Sequence, residues 1–422
     1  MSHKIGWKTA TMLVISNMVG TGVFTSLGYQ LVDVQNVWSI VLLWVLGGVL
    51  ALIGAFTFAE LGTHYNESGG DYIFVSKGFH PFWGYLTAWA SLIVGFSSPV
   101  AIAALAMEAY LSPFDIPNLR WYIVLLIILI SLLHSFSLKH SSVFQNITTV
   151  VKVLFVGFLL GIGIWYAPIP QNAINVQVPI WNEITKTGFA VSLLYVTYAY
   201  TGWNAAAYIV GEIRNPSKDL PKALIFGTLG VIIVYVLLQL VFLKFGTYTQ
   251  LKGQAEVAIL ATQNILGPMA NKWISAGIGF QLIATMSSYI WIGSRIVHSM
   301  AQHYTLWKWI RPTNKHDVPI RAIWLLCAVI LILLLSGSLQ QILLYSSFVL
   351  QLMGTIAVAS FLKIPHEGDR FRSPLSPYIQ YLYVGFSIIV LLFIIYDKPQ
   401  ESFIGLGILL IGAITYLWSK RM

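Results

Sequence analysis

Charge is what this sequence has least of. Of its 422 residues only 9% are Asp, Glu, Lys or Arg, against about 25% in a soluble domain. A chain so poor in charge cannot clothe itself against water, and a soluble fold is excluded. Cysteine is nearly absent as well: Cys327 stands alone, inside an apolar run. That excludes an intrachain disulfide and a cysteine-based metal centre. Period-2 alternation is missing, which excludes a transmembrane β-barrel. There is no Walker motif, so ATP does not drive the protein. His134, His140 and His298 lie apart without metal-ligand spacing. No nucleophile–base set or carboxylate pair lies within the apolar segments. Neither an enzyme, a catalytic residue, a bound metal nor a cofactor is expected.

What the sequence holds in quantity is apolar length. It is 57% hydrophobic with a mean hydropathy of +0.76. Runs of eighteen or more mostly apolar residues recur, each long enough to cross ~30 Å of hydrocarbon. Only helices satisfy every backbone polar group there once barrels are excluded. The expected class is an all-α polytopic membrane protein with lipid as its main solvent. Twelve spans are expected, at 7–32, 37–62, 81–111, 119–138, 142–166, 188–212, 221–246, 270–302, 320–337, 339–362, 378–396 and 400–419. "MSHKIGWKTA" carries no small-residue cleavage site, so the first run reads as a span rather than a removed signal peptide. With the N-terminus in the cytoplasm, 17 of the 24 basic residues fall on cytoplasmic segments and six outside, with Lys152 left inside a span. This bias places both termini in the cytoplasm. It also accounts for the net charge of +9 without nucleic acid. The longest polar connections, 167–187, 247–269 and 303–319, are caps rather than domains. A single transmembrane domain is therefore expected.

Two spans carry glycine where a helix gains nothing from it. The first contains Gly20-Thr21-Gly22 and the sixth Thr201-Gly202, each near the middle. One such glycine is commonly a packing residue. The pairing of the first and sixth spans is more informative, because these occupy corresponding places in two five-span halves. An unwound turn in mid-membrane leaves amides free on one side and carbonyls on the other. Amides at a half-helix N-terminus attract carboxylate, and carbonyl ends attract ammonium. Two crossed breaks thus offer both poles that an amino-acid zwitterion requires.

Three segments in order, "MVGTGVFTS", "AFTFAELGTHYNESGGDYIFV" and "AYTGWNAAAYIVGEIRNPSKDLPKA", resemble the amino acid–polyamine–organocation transporter superfamily. "AYTGWN" most resembles its L-type amino-acid transporter branch. The resemblance covers residues 5 to about 310 well and the last four spans by count and hydropathy. It implies a LeuT-type fold: two inverted five-helix repeats, 5–166 and 188–362, with discontinuous helices 1 and 6, then two peripheral helices in 378–419. It implies that Val19, Gly20, Thr21 and Gly22 form the unwound first helix around the substrate, with Thr21 supplying a hydroxyl. Tyr198 corresponds to an aromatic residue that closes over the substrate from outside. Ala199, Tyr200, Thr201 and Gly202 correspond to the unwound sixth helix, and Asn204 to a polar residue near the substrate. Trp203 reads as packing. The loop after the third span, "LSPFDIPNLRW", lacks the cysteine by which animal L-type transporters pair with a glycoprotein. The expectation is a bacterial plasma-membrane protein without a disulfide-linked ancillary subunit.

Lys152 lies about ten residues into the fifth span. At ~1.5 Å per residue that is ~15 Å from the helix start, too deep for easy snorkelling. An ionisable residue at such depth is a functional hypothesis by default. The resemblance places it where sodium-coupled relatives hold a sodium ion, bridging first-helix carbonyls to the eighth helix, with Ser287 or Ser288 as partner. The expected function is sodium-independent exchange of small neutral L-amino acids such as alanine or serine, because small residues fill 205–207 and no acidic pocket residue is foreseen. Proton-coupled symport and exchange of large neutral amino acids are the alternatives. A channel is disfavoured by the absence of a filter motif. "SGGDY" and "RNPSKDLP" read as cytoplasmic turns serving gating and topology. Ser97 and Ser98 read as bonding their own backbone beside a kink at Pro99.

Overall fold

A computed structural model describes residues 4–136, 138–166, 178–364 and 370–419. The side chains of residues 138–140, 142 and 268–270 lie outside the described set, and with them the side chain of His140. Much of the expected 167–187 connection lies outside it too, as do Lys420 and Arg421.

The described chain is helical throughout. It runs α1 (Trp7–Met18), α2 (Gly22–Gln30), α3 (Val37–Tyr65), α4 (Asp71–Gly78), α5 (Pro81–Tyr110), α6 (Leu119–Phe136) and α7 (Leu138–Trp165). Then come α8 (Thr187–Ala199), a 3₁₀ segment (Ala205–Glu212), α9 (Pro216–Phe245), α10 (Val257–His303), α11 (Ile320–Ser336), α12 (Leu339–Ala359), α13 (Tyr378–Asp397) and α14 (Pro399–Trp418). Nine helical stretches among the described residues are long and apolar enough to cross a membrane. Shorter apolar helices are Thr187–Ala199, Val257–Gly267 and Ile320–Ser336.

The helix ends follow from local chemistry. Asn36 starts α3 by accepting from the Trp38 amide at 2.8 Å, and Asn66 stops it in the left-handed conformation at φ 50°. Ser338 and Gln341 form a reciprocal capping box at the start of α12. Two boundaries depart from expectation. The expected 188–212 helix ends at Ala199, and the polar connection expected over 247–269 is helix from Val257, with a bend at Gly267, whose φ is 73°. Glycine before Pro268 lets the chain turn and resume, which hydropathy alone does not reveal.

Two packing features position the site. First, α9 lies against both α1 and α3. Second, residue 5 pairs in parallel with residue 213: the Ile5 amide donates to the Glu212 carbonyl at 2.9 Å, and the Arg214 amide to the Ile5 carbonyl at 2.9 Å. The chain's start is thereby fastened to the end of the 3₁₀ segment. Many large apolar side chains of α13 and α14 point outward, Leu392, Phe403 and Leu417 among them, as a lipid-facing surface requires.

Candidate functional site

The first helix stops at Met18 because Val19 turns extended, with φ −70° and ψ 92°, and helix resumes at Gly22. The sixth segment stops at Ala199 and passes Gly202 at φ +100° before the 3₁₀ turns begin. The two interruptions touch. A side-chain carbon on Gly22 would stand 2.5 Å from the Ala199 Cα, and one on Gly202 would stand 2.9 Å from the Asn17 carbonyl carbon. Glycine is required at Gly202 twice over, by conformation and by contact.

The free carbonyls at the end of α1 can be followed one by one. Ile15 accepts from the Val19 amide at 2.9 Å. Ser16 accepts from Lys152 Nζ at 3.1 Å, and Val19 from the same ammonium at 2.6 Å. Asn17 accepts from the Tyr289 hydroxyl at 3.3 Å, and Met18 from the Tyr235 hydroxyl. Tyr235 also bonds the Ala199 carbonyl at 3.1 Å, so one phenol ties the two breaks together. The broken end is thus met by side chains from α7, α9 and α10, as buried carbonyls demand. On the other side of the break, the amides of Thr21 and Gly22 have no acceptor among the described residues.

Lys152 is fully buried. Its third bond goes to Thr285 Oγ1 at 3.0 Å. The expected partners Ser287 and Ser288 do not serve. Ser287 is held by His134 Nε2 at 2.9 Å, the ring's other nitrogen lying 2.9 Å from Ser141 Oγ. Ser288 Oγ has no partner among the described residues. The reason is helical phase: Thr285 sits about 200° around the helix from Ser287, at 100° per residue, so the two cannot face one ammonium. Among the described residues no group of three His, Cys, Asp or Glu side chains could hold a metal ion.

Beside the crossing lies a cavity of about 110 Å³. Tyr198, Thr201, Gly202 and Asn204 line it, together with Asn17, Ser91, Tyr208 and Tyr289. Val19, Gly20, Thr21, Gly22 and Ala199 are buried but are not part of that lining. Close packing of Gly22 on Ala199 keeps the first break behind the wall. Thr201 spends its hydroxyl locally, donating to the Tyr198 carbonyl at 2.7 Å. Ser97 and Ser98 likewise bond the carbonyls five residues back, Leu92 and Ile93, within a π-helical stretch at Ser91–Ser97. That wider turn presents Ser91 and Gly95 to the cavity instead.

An acidic residue also reaches the cavity, contrary to expectation. Asp71, the first residue of α4, lines it half-buried. Its carboxylate accepts from the Tyr72 amide at 2.9 Å, and nearby in the same wall Asn204 Nδ2 donates to the Tyr208 hydroxyl at 3.0 Å. The "SGGDY" turn therefore belongs to the site. Gly70, at φ +57°, has no room for a side chain: a carbon there would stand 2.3 Å from the Tyr208 ring. Two adjacent glycines before an acid were a legible signal of close approach. Tyr235 and Tyr289 were the other residues missed, and a phenol in mid-span always asks for a partner.

Comparison with known proteins gives a consistent result. A family model described as "Amino acid permease" matches residues 5–414. The chain is 24% identical over 428 residues to the b(0,+)-type amino acid transporter 1 of Mus musculus, covering 99% of this chain and 87% of that protein. It is 25% identical over 435 residues to the large neutral amino acids transporter small subunit 2 of Oryctolagus cuniculus, and 25% over 435 residues to the Homo sapiens protein of that name. Each of these two alignments covers 99% of this chain and 80% of the relative.

Proposed function

Because the chain belongs to the amino acid permease family, a family of membrane transporters and not of enzymes, we propose that it is a sodium-independent exchanger of small neutral L-amino acids. The observation that carries the reading is the seat of Lys152. Its ammonium joins two carbonyls of the broken first helix to Thr285 of α10. A fixed cation at that junction does what a bound sodium ion would do, holding the break to the scaffold, and it cannot leave with the substrate. With no ion carried along, one amino acid moves inward as another moves outward.

In this reading the twelve expected spans form two inverted five-helix repeats and two peripheral helices, with α1/α2 and the α8/3₁₀ pair as the discontinuous helices. The Thr21 and Gly22 amides receive the substrate carboxylate once Gly22 and Ala199 part. Tyr198 closes the outer side, and Asn204 meets the substrate from within. The protein sits in a bacterial plasma membrane with both termini in the cytoplasm, and acts without a disulfide-linked subunit because Cys327 is buried. Cavity size favours small substrates. A pocket of ~150 Å³ is known to take a six-carbon ring, and about 110 Å³ suits alanine or serine better than leucine. The relatives named for large neutral amino acids favour the other choice, which makes leucine the informative competitor.

Purified protein in liposomes tests the whole reading. Uptake of labelled alanine is expected to require internal amino acid and to persist when choline replaces sodium. Loss of uptake in choline would overturn sodium independence, and uptake into empty liposomes driven by a pH gradient would establish symport. Lys152→Met, which keeps length and loses charge, is expected to lower turnover at least tenfold. An unchanged rate would remove Lys152 from the mechanism.

A further inference from the structure

The connection from α10 to α11, residues 304–319, is held firmly in place. Arg311 Nε donates to the Ala301 carbonyl at 2.6 Å and its Nη2 to the Gln302 carbonyl at 2.9 Å, closing the end of α10. Asn314 Nδ2 donates to the Ser135 carbonyl at 3.1 Å and the Phe136 carbonyl at 3.3 Å, closing the end of α6. Thr305–Ile310 winds as a 3₁₀ turn that buries Trp307 and Ile310 and leaves Leu306 and Trp309 exposed. Arg321 Nη1 donates to the Trp309 carbonyl at 2.6 Å, which fastens this turn to the start of α11. Arg321 also heads a stripe. Trp324, Ala328, Ile332 and Leu335 follow it at helical spacing, all exposed, while Ala322, Ile323, Leu326 and Ile330 are buried on the other side. In a membrane protein such a stripe faces acyl chains, and the cation at its head lies where hydrocarbon gives way to head groups, the level that tryptophan also prefers.

We propose that Lys308 and Arg321, flanked by Trp309 and Trp324, bind the head group of one anionic phospholipid whose acyl chains run down the α11 stripe. Charge complementarity selects this occupant. Residues 308–321 hold four cations, Lys308, Arg311, Lys315 and Arg321, against the single acid Asp317. The ion pairs among the described residues lie elsewhere, at Lys77–Glu67, Arg120–Glu108 and Lys398–Asp397. Lys308, Lys315 and Arg321 are exposed and have no carboxylate partner among the described residues. A phosphodiester supplies the missing anion, and its acyl chains cover the apolar face directly below. A zwitterionic head group brings a cation of its own and forfeits that advantage. In the topology proposed above this end faces the cytoplasm, so the lipid belongs to the inner leaflet, where basic clusters beside a span attract anionic lipid.

Lipid retention by the purified full chain in detergent tests this. Phosphatidylglycerol or phosphatidylcholine is titrated in, and lipid bound per chain is read by native mass spectrometry. No transport occurs in detergent, so the result stands apart from what the protein carries. Phosphatidylglycerol is expected to bind about tenfold more tightly than phosphatidylcholine. Lys308→Gln removes an exposed side chain and should keep the fold. It is expected to weaken phosphatidylglycerol binding about fivefold, the worth of one basic residue at an anionic surface. Arg321→Gln should cost at least as much, and Arg321→Lys should restore most of the loss. Lys218→Gln, at an exposed lysine in the first turn of α9, should change binding less than about twofold. Equal retention of the two lipids, no loss in Lys308→Gln, or an equal loss in Lys218→Gln would overturn the site. Displacement of the lipid by millimolar inorganic phosphate would show a simple anion site and overturn the lipid assignment.

Discussion

Gly202 shows how much one residue can carry. Its φ of +100° is costly for any side chain, and its α-carbon lies against the Asn17 backbone. Gly202→Ala combines backbone strain of about 1–3 kcal/mol with an overlap that backbone atoms cannot relieve. We expect lower thermal stability, read by size-exclusion after heating, and loss of alanine uptake. Gly385→Ala, with open space around it, should change neither. Residues also mark the limit of sequence reading. The glycines were legible because they break a rule of apolar helices. Tyr235 was not, because its two carbonyl partners lie 217 and 36 residues away. The expected serine partners of Lys152 failed for a local reason, since Thr285 rather than Ser287 or Ser288 meets the ammonium, while His134, 153 residues from Ser287, holds that serine.

At the scale of elements, the α4 turn is the one that sequence placed at the edge and structure moves to the centre. Most helix bounds match the expected spans to within a few residues, since lipid imposes both length and composition, whereas the expected 188–212 helix stops at Ala199 and the expected 270–302 helix already begins at Val257. A short amphipathic turn is under no such constraint, and its partner could not be named. The turn brings a consequence of its own. Burial pushes the Asp71 carboxyl up to about 7, from an ordinary 3.8. Tyr208 faces it from the 3₁₀ segment, Tyr289 of α10 stands beyond Tyr208, and the Lys77–Glu67 pair on its own loop is self-satisfied at 2.5 Å. A raised carboxyl favours the folded state at low pH and loses that contribution as pH rises through about 7. Thermal stability should therefore fall as pH rises from 5 to 8. Asp71→Asn should flatten the profile, and an equally steep profile in that variant would place the titration elsewhere.

Taken whole, the molecule is a membrane permease whose two interruptions touch each other beside a cavity, and whose residue 5 pairs with the end of the sixth segment. That last contact can be weakened alone. Ile5→Pro deletes the amide that donates to Glu212 and leaves every helix intact. If the protein is the exchanger proposed above, the variant is expected to leak, releasing preloaded alanine into amino-acid-free buffer several-fold faster than wild type. Equal release rates would show the tie to be passive. The fastening at Ile5 also fixes an order of events. The first helix cannot swing away without drawing the 3₁₀ segment after it, and Asn204 and Tyr208 stand on or beside that segment. A shift of the first helix is thereby handed on to the segment that carries Tyr208, so the two breaks are tied at that end as two arms of a common lever.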